Sequence, residues 1–334
     1  MCAMVKTTIK DVAEAAGVSV GLVSMVLNNK KGVNKHTAER IFKIADDMKY
    51  TPNKLATALR VGYNKTIGVI TPDISNHFFS EISRFIENLG FDNGYTVIFG
   101  SSDDRGDKIE KLVDIFHSDG IQGLLLTPSD DSIPAINRAK KYGMSVVLMN
   151  RNLEGIDGVG VVILDNEKAM KMGVEHFYRN GYRHIEMISN DIQLSNLKIR
   201  EECYKKAMKD FGLEENVRIH YVDELKSDEL DRKIVEVYKS GADSLFVPRG
   251  YLALSVHSAI KRIGLRIPED LGLIGFDGGN VYTMISPTIT QLVQDTRTTA
   301  EKSYNMLCEM MGGGAPYEYL ISPELIAGDS TSQK

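Results

Sequence analysis

The polar residues able to do chemistry in this chain stand where short apolar runs end. Asp73 and Asn76 follow "TIGVITP", with Phe78 and Phe79 just beyond, and Asn150 and Arg151 close "SVVLMNR". Arg249 follows "SLFVP", Asp277 follows "LGLIGF", and a further arginine, Arg200, lies in "SNLKIREECY". Carboxylates, amides and guanidinia of this kind hold hydroxyls and anions by hydrogen bonds. The plainer role of an Asp or Asn at such a place is a turn or a helix cap. Bond-making machinery is not legible. There is no GxGxxG or GxxxxGK[ST] phosphate cradle, and no CxxC or HExxH metal spacing. His176 and His184 have no Cys or acidic partner at ligand spacing and read as ordinary side chains. Cys2, Cys203 and Cys308 are far apart and odd in number, as expected in a reducing compartment. The expectation is a protein that binds, with no metal, no cofactor and no enzymatic activity.

The elements that must position these residues alternate. "TIGVIT", "YTVIFG", "GLLLT", "SVVLMN" and "GVVIL" alternate with helical patterns at about 77–92, 105–118 and 131–142. A second set, "HIEMIS", "RIHYV", "SLFVP" and "LGLIGF", alternates with helices near 167–180, 195–211, 228–240, 252–263 and 296–311. Strand–helix alternation repeated twice predicts an α/β fold with two doubly wound parallel sheets. In such sheets ligands sit at the carboxyl ends of strands, where the polar residues above are found. A chain of 334 residues, 43% hydrophobic and 25% charged, has room for two or three ordinary globular domains. No stretch approaches eighteen apolar residues, so no helical membrane span is expected. The opening "MCAMVKTTIK" lacks a long apolar core, which favours the cytoplasm over secretion, and Met4 is an alternative start to Met1.

Charge is unevenly spread. Residues 1–63 carry ten Lys/Arg against five Asp/Glu (+5), and the remainder thirty against forty (−10). A basic head on an acidic body suits a nucleic-acid module attached to something else. In the head, Thr8 and Asp11 form a capping-box-like start, Ile9, Val12, Ala13 and Ala16 repeat at helical spacing, and Gly17 supplies a turn. Ser19 can cap a second helix with Leu22, Val23, Val26 and Leu27 as apolar positions. Asn34 can cap a third, with Ala38, Ile41, Ala45 and Met48 on its buried face. Three short helices with a tight first turn predict a helix-turn-helix bundle. Beyond Pro52, Asn53 can start a helix to about Val61, too short to hold in water unless a partner orders it.

"TIKDVAEAAGVS", "VSMVLN", "YTPNKLATAL" and, later, "IGVITPDISNHFF" resemble the lactose-repressor (LacI/GalR) family of bacterial transcription regulators. The resemblance covers essentially the whole chain. It implies a helix-turn-helix head (1–50), a hinge helix and linker (51–64), and a two-lobed periplasmic-binding-protein-like effector domain (65–330). The lobes would comprise about 65–163 with 295–322, and 164–294 with 323–330, the chain crossing near 162–166, 290–295 and 320–324. The implied partners are a double-stranded DNA operator, a small-molecule effector and a second copy of the chain. A protein corepressor is left open. Val20, Gly21 and Met25 match base-reading positions, Ser24, Asn28 and Thr37 phosphate or positioning contacts, and Ala56 and Leu59 the minor-groove wedge. Thr8, Lys10, Ser19, Asn34, Tyr50 and Asn53 complete the implied DNA-facing set. Met25 stands where relatives commonly carry Arg or another polar residue. Val20 and Met25 offer only apolar contact, best met by a thymine methyl. The expectation is an A/T-tolerant half-site, with the hinge and DNA deformability supplying further preference. Lys6, Lys10, Lys30, Lys31, Lys35 and Lys54 would add sequence-blind affinity.

In the body, the resemblance places effector contacts at or near Asn76, Phe79, Asn150, Arg200, Arg249 and Asp277. Asp73, Phe78 and Arg151 join them as neighbours at the same strand ends. Arg200 and Asp277 match residues that grip sugar hydroxyls in sugar-responsive members. Arg249-Gly250 replaces the Asn-Asp or Thr-Asp of many members, and Cys203 replaces a small Gly. Two facing arginines could clamp a phosphorylated or acidic sugar; alternatively Arg249 pairs with Asp277 and the ligand is neutral or absent. The stripe Phe79, Ile82, Phe85, Ile86 and Leu89 fits a dimer interface or the chain's own core equally. "PELIAGDSTSQK" has no heptad pattern, so a dimer is expected rather than a tetramer. The competing function is a small-molecule sensor whose head has lost specific DNA binding.

Overall fold

The computed structural model describes residues 7–27, 32–50, 65–190, 194–222 and 227–332. They belong to two compact units, residues 1–64 and 65–334.

The first unit is three helices: α1 (Ile9–Ala16), α2 (Val20–Leu27) and α3 (Lys35–Asp47). The capping box is formed: Thr8 N donates to Asp11 Oδ2 at 2.7 Å, and Asp11 N to Thr8 Oγ1 at 3.4 Å. Gly17 ends α1 in the left-handed region, φ +61°, where a side chain would be strained. Ser19 Oγ accepts from Leu22 N (3.2 Å) and Asn34 Oδ1 from His36 N (2.9 Å), so both act as caps. Val12, Ala13, Ala16, Val23, Val26, Ile41 and Ala45 form the core, the apolar positions of the three periodic patterns. Asn28, Asn53, Ala56, Leu59, Lys6, Lys30, Lys31, Lys54 and Cys2 lie outside the described residues, as does the 53–61 segment.

The second unit begins with β1 (Thr66–Thr71), α4 (His77–Asp92), β2 (Thr96–Ser101), α5 (Gly106–Ser118) and β3 (Gly123–Leu126). It continues through α6 (Ile133–Lys141), β4 (Ser145–Met149), β5 (Gly160–Leu164), α7 (Asn166–Arg179), β6 (Ile185–Asn190) and α8 (Ser195–Asp210). Next come β7 (Ile219–Val222), α9 (Ser227–Lys239), β8 (Ser244–Phe246), α10 (Gly250–Arg262), β9 (Gly272–Phe276) and the short α11 (Val281–Met284). β10 (Thr290–Gln294), α12 (Thr296–Met311), β11 (Glu318–Ile321) and β12 (Pro323–Ile326) complete it. Two six-stranded sheets result, in the orders β2-β1-β3-β4-β5-β11 and β7-β6-β8-β9-β10-β12. β1 pairs in parallel with both β2 and β3 (Ile67 opposite Val97 and Gly123), so the strand order reverses there, as it does at β6 between β7 and β8. These reversals are the points where crevices open at the carboxyl ends of strands. All six residues of β1 are buried, which is why the strand reads as an unbroken apolar run rather than an alternating one.

One departure from the all-parallel expectation is β12, which runs antiparallel to β10, with Leu292 opposite Leu325. Only Ser322 separates it from β11 of the other sheet. A chain leaving one sheet at its carboxyl edge and entering the facing sheet directly must enter at that sheet's carboxyl edge, so it runs against its neighbours. The stripe on α4 turns inward: Phe79, Ile82 and Ile86 are buried in the chain's own core, with Phe85 and Leu89 packed against it, and α12 is the neighbouring helix.

Candidate functional site

The carboxyl ends of β1, β4, β8, β9 and β10 converge on a cleft of roughly 300 Å3. Asp73, Asn76, Phe78, Phe79, Asn150, Arg151, Arg200, Arg249 and Asp277 all line it. Parallel strands bring together residues more than 200 positions apart because every strand of this kind ends on the same side.

The floor is an Arg–Asp arrangement. Arg200, one turn into α8 and buried, lies with its guanidinium carbon 3.7 Å from the centre of the Phe276 ring. Its Nε donates to Asn166 Oδ1 (3.1 Å) and its Nη1 to the Pro248 carbonyl (2.7 Å). The stack and two fixed bonds lock the plane of the guanidinium. Burial pushes its pKa down to about 10, with the Asp277 charge opposing, so it stays protonated at neutral pH. Asp277 follows β9 with φ +48° and accepts from Gln294 N and Gln294 Nε2, both at 3.0 Å. Burial pushes its carboxyl up to about 6, against the pull of Arg200 and the Gln294 bonds. Asn150 is also left-handed, φ +65°, and its Oδ1 accepts from Gln294 Nε2 at 3.2 Å. With Asp104 (φ +54°), three non-glycine residues lining one cleft are left-handed, the kind of stored strain found at ligand sites.

The walls are partly structural. Asp73 accepts from Ser75 N (2.8 Å), and Asn76 caps α4 through Phe78 N (3.1 Å), so both fill turn and cap roles while lining the cleft. Phe78 and Phe79 are buried and meet edge to face, 5.1 Å between centroids. Arg151 is buried, donating through Nη1 to Asp104 and to the Pro128 carbonyl (3.1 Å). Arg249 donates to Asn190 Oδ1 at 3.0 Å. Arg200 and Gln294 are the groups that act on Asp277. Gly250 lets α10 start against β9: a Cβ there would lie 2.9 Å from the Phe276 carbonyl oxygen and 3.0 Å from that of Asp277. Among the described residues that line the cleft, Arg151 Nε, Asn196 Oδ1 and Gln294 Oε1 are buried without a protein hydrogen-bond partner.

In the first unit, α2 carries no acidic residue in its first turn and no basic residue in its last. Val20 and Met25 are its exposed large apolar side chains, 37% and 36% accessible, with Gly21 exposed between them. Ser24 is buried, and Lys10, at the start of α1, is exposed. Thr37 and Tyr50 are half-buried.

Residues 8–53 match the model of the lacI family of bacterial regulatory proteins, and residues 174–331 that of the periplasmic binding protein-like domain. The ribose operon repressor of Halalkalibacterium halodurans is 28% identical over 97% of each chain, and catabolite control protein A of Priestia megaterium 29% over 91% of this chain and 92% of its own. The chain joins a lacI-family helix-turn-helix domain to a periplasmic-binding-protein-like domain. The lac repressor dimer bound to operator and the anti-inducer ONPF shares its fold, with a TM-score of 0.85 at 20% identity over 98% of this chain and 99% of that one. With its lacI-family head and periplasmic-binding-protein-like domain the chain is a DNA-binding transcription regulator, and its relatives are regulators rather than enzymes. No described helix is long and apolar enough to cross a membrane.

Sequence reasoning missed several lining residues of the regulator: Asp104, Asn196, Tyr251, Phe276 and Gln294. Gln294 had a findable signal, since it ends the run "TITQLVQ" in the same way that Asp277 ends its own. Asp104 had none: it stands in a loop of charged residues, and only the fold sets it against Arg151.

Proposed function

We propose that this regulator is a dimeric repressor in the cytoplasm, binding a pseudo-palindromic operator and responding to a sugar in the cleft. Residues 1–50 would contact DNA, 51–64 form the hinge, and 65–330 bind effector and partner copy. The observation carrying the effector class is the Arg200–Asp277–Gln294–Asn150 floor. It sets a locked guanidinium beside a carboxylate and two amides, so neighbouring hydroxyls can donate to one and accept from the other. Phe78 and Phe79, in the cleft wall, supply apolar surface for a sugar's C–H face. The name of the ribose operon repressor among the relatives agrees with a sugar.

Charge balance favours a neutral sugar over the phosphorylated one suggested by counting arginines alone. Arg151, Arg200 and Arg249 share the lining with Asp73, Asp104 and Asp277, and Arg151 is already tied to Asp104. Calorimetry with paired neutral and phosphorylated pentoses and hexoses on wild type, Asp277→Asn and Arg249→Ala tests both points. Neutral-sugar binding lost at least tenfold in Asp277→Asn and mostly kept in Arg249→Ala supports the reading. Exclusive binding of phosphosugars, abolished by Arg249→Ala, would restore the anion clamp. The apolar face of α2 also favours a second reading, a sensor without a specific operator. Selection from random duplexes with the full chain, with and without sugars, separates the two.

A further inference from the structure

We infer that α2 reads the C5-methyl group of pyrimidines in the major groove, taking thymine and 5-methylcytosine alike. The inference rests on the operator-binding reading above and specifies its chemistry. In a helix-turn-helix the N-terminal residues of the second helix meet base edges. Here those residues are Val20 and Gly21, with Met25 one turn on, and they form a continuous exposed strip without a donor or acceptor on any side chain. Ser19, the nearest hydroxyl, is engaged as the cap of the helix, and Ser24 is buried. A Cβ at Gly21 would meet only Ser19 Oγ, 3.8 Å away, so the strip has a shallow step between two projecting apolar side chains. Base pairs beneath the strip therefore receive no side-chain hydrogen bond from it.

Of the features displayed in the major groove, the thymine methyl is the apolar one. It projects from C5, and a methylated cytosine projects the same group from the same position while its N4 amine replaces the O4 oxygen. A guanidinium or amide reader distinguishes those two bases through their polar groups. A valine–methionine strip does not. The regulator's affinity for a site would then rise when cytosines under α2 are methylated, a sensitivity set by Val20 and Met25.

The test uses the full chain and duplexes enriched by selection from a random library. Repeating the selection with Met25→Arg, an exposed substitution, identifies the base pair under residue 25 as the one whose preference moves toward G·C. At that pair, deoxyuridine in place of thymine should weaken wild-type binding about fourfold, the value of one buried methyl. 5-Methylcytosine should bind about fourfold more tightly than cytosine, and Met25→Arg should lose both effects. Binding by wild type that is indifferent to deoxyuridine, or a wild-type preference for G·C at that pair, overturns the methyl reading and leaves operator binding standing. Failure of wild type to enrich any duplex, with or without sugar, overturns both.

Discussion

Asp277 combines a left-handed backbone, a buried carboxyl and a pKa near 6, and each has a consequence that can be measured. Its folded pKa of about 6 lies above the ordinary 3.8, so between those values the folded protein holds a proton that the unfolded chain has released. Stability from this group is therefore fully present below about pH 4 and lost as pH rises through about 6. A shift of roughly two units corresponds to on the order of 2–3 kcal/mol. Asp277→Asn mimics the protonated form, so it should stabilise the sugar-free protein, read as melting temperature, most at pH 7.5 and about half as much at pH 5. A substitution that destabilises equally at both pH values would mean that Arg200 needs the charge more than the burial resists it. The residue scale also shows what was legible. Asp277 stood out because it ends an apolar run, and Arg200 because it matches a residue type that grips effectors in the family the chain resembles. What the residues alone did not reveal was which partners Arg200 takes: the lock on it comes from Asn166 and the Pro248 carbonyl, groups with nothing unusual in their local sequence.

At the scale of elements, helix starts and strand ends do the positioning. Thr8, Ser19, Asn34 and Asn76 each cap a helix through their own side chain, and each could be read directly because capping chemistry is local. Buried parallel strands were likewise readable as apolar runs. β12 was not, because its direction is set by the crossing between sheets and not by its own four residues. Gly250 is a similar case. Its neighbours in space are the Phe276 and Asp277 carbonyls, so its lack of a side chain sets how closely α10 and Arg249 approach the cleft floor. Gly250→Ala forces a methyl within about 3 Å of backbone that cannot swing aside. The expected cost is about 1–3 kcal/mol in thermal or urea unfolding, with a weakened sugar response as the helix start is pushed outward. Unchanged stability and sugar affinity would show that α10 can move without disturbing the site.

At the scale of the whole molecule, the uneven charge divides the labour of DNA binding. The head's +5 attracts phosphate, whereas the body's −10 repels it, so the chain should meet DNA through residues 1–63. With so little hydrogen bonding available on α2, phosphate contacts by the head lysines must carry much of the affinity. Each phosphate neutralised contributes about −0.9 to the slope of log affinity against log salt. If a dimer brings six to ten such contacts, the slope lies between about −5 and −9, and affinity falls at least about a thousandfold from 50 to 200 mM salt. Because methyl contacts release no counterions, the slope on a selected operator should nearly equal that on random duplex. The ratio between the two affinities should then change little with salt. Titrations of both duplexes across that salt range, by anisotropy on the full chain, measure slope and ratio together. A shallow slope on the operator alone would mean that specific binding trades phosphate contacts for base contacts, and the apolar helix would no longer account for how the head holds DNA.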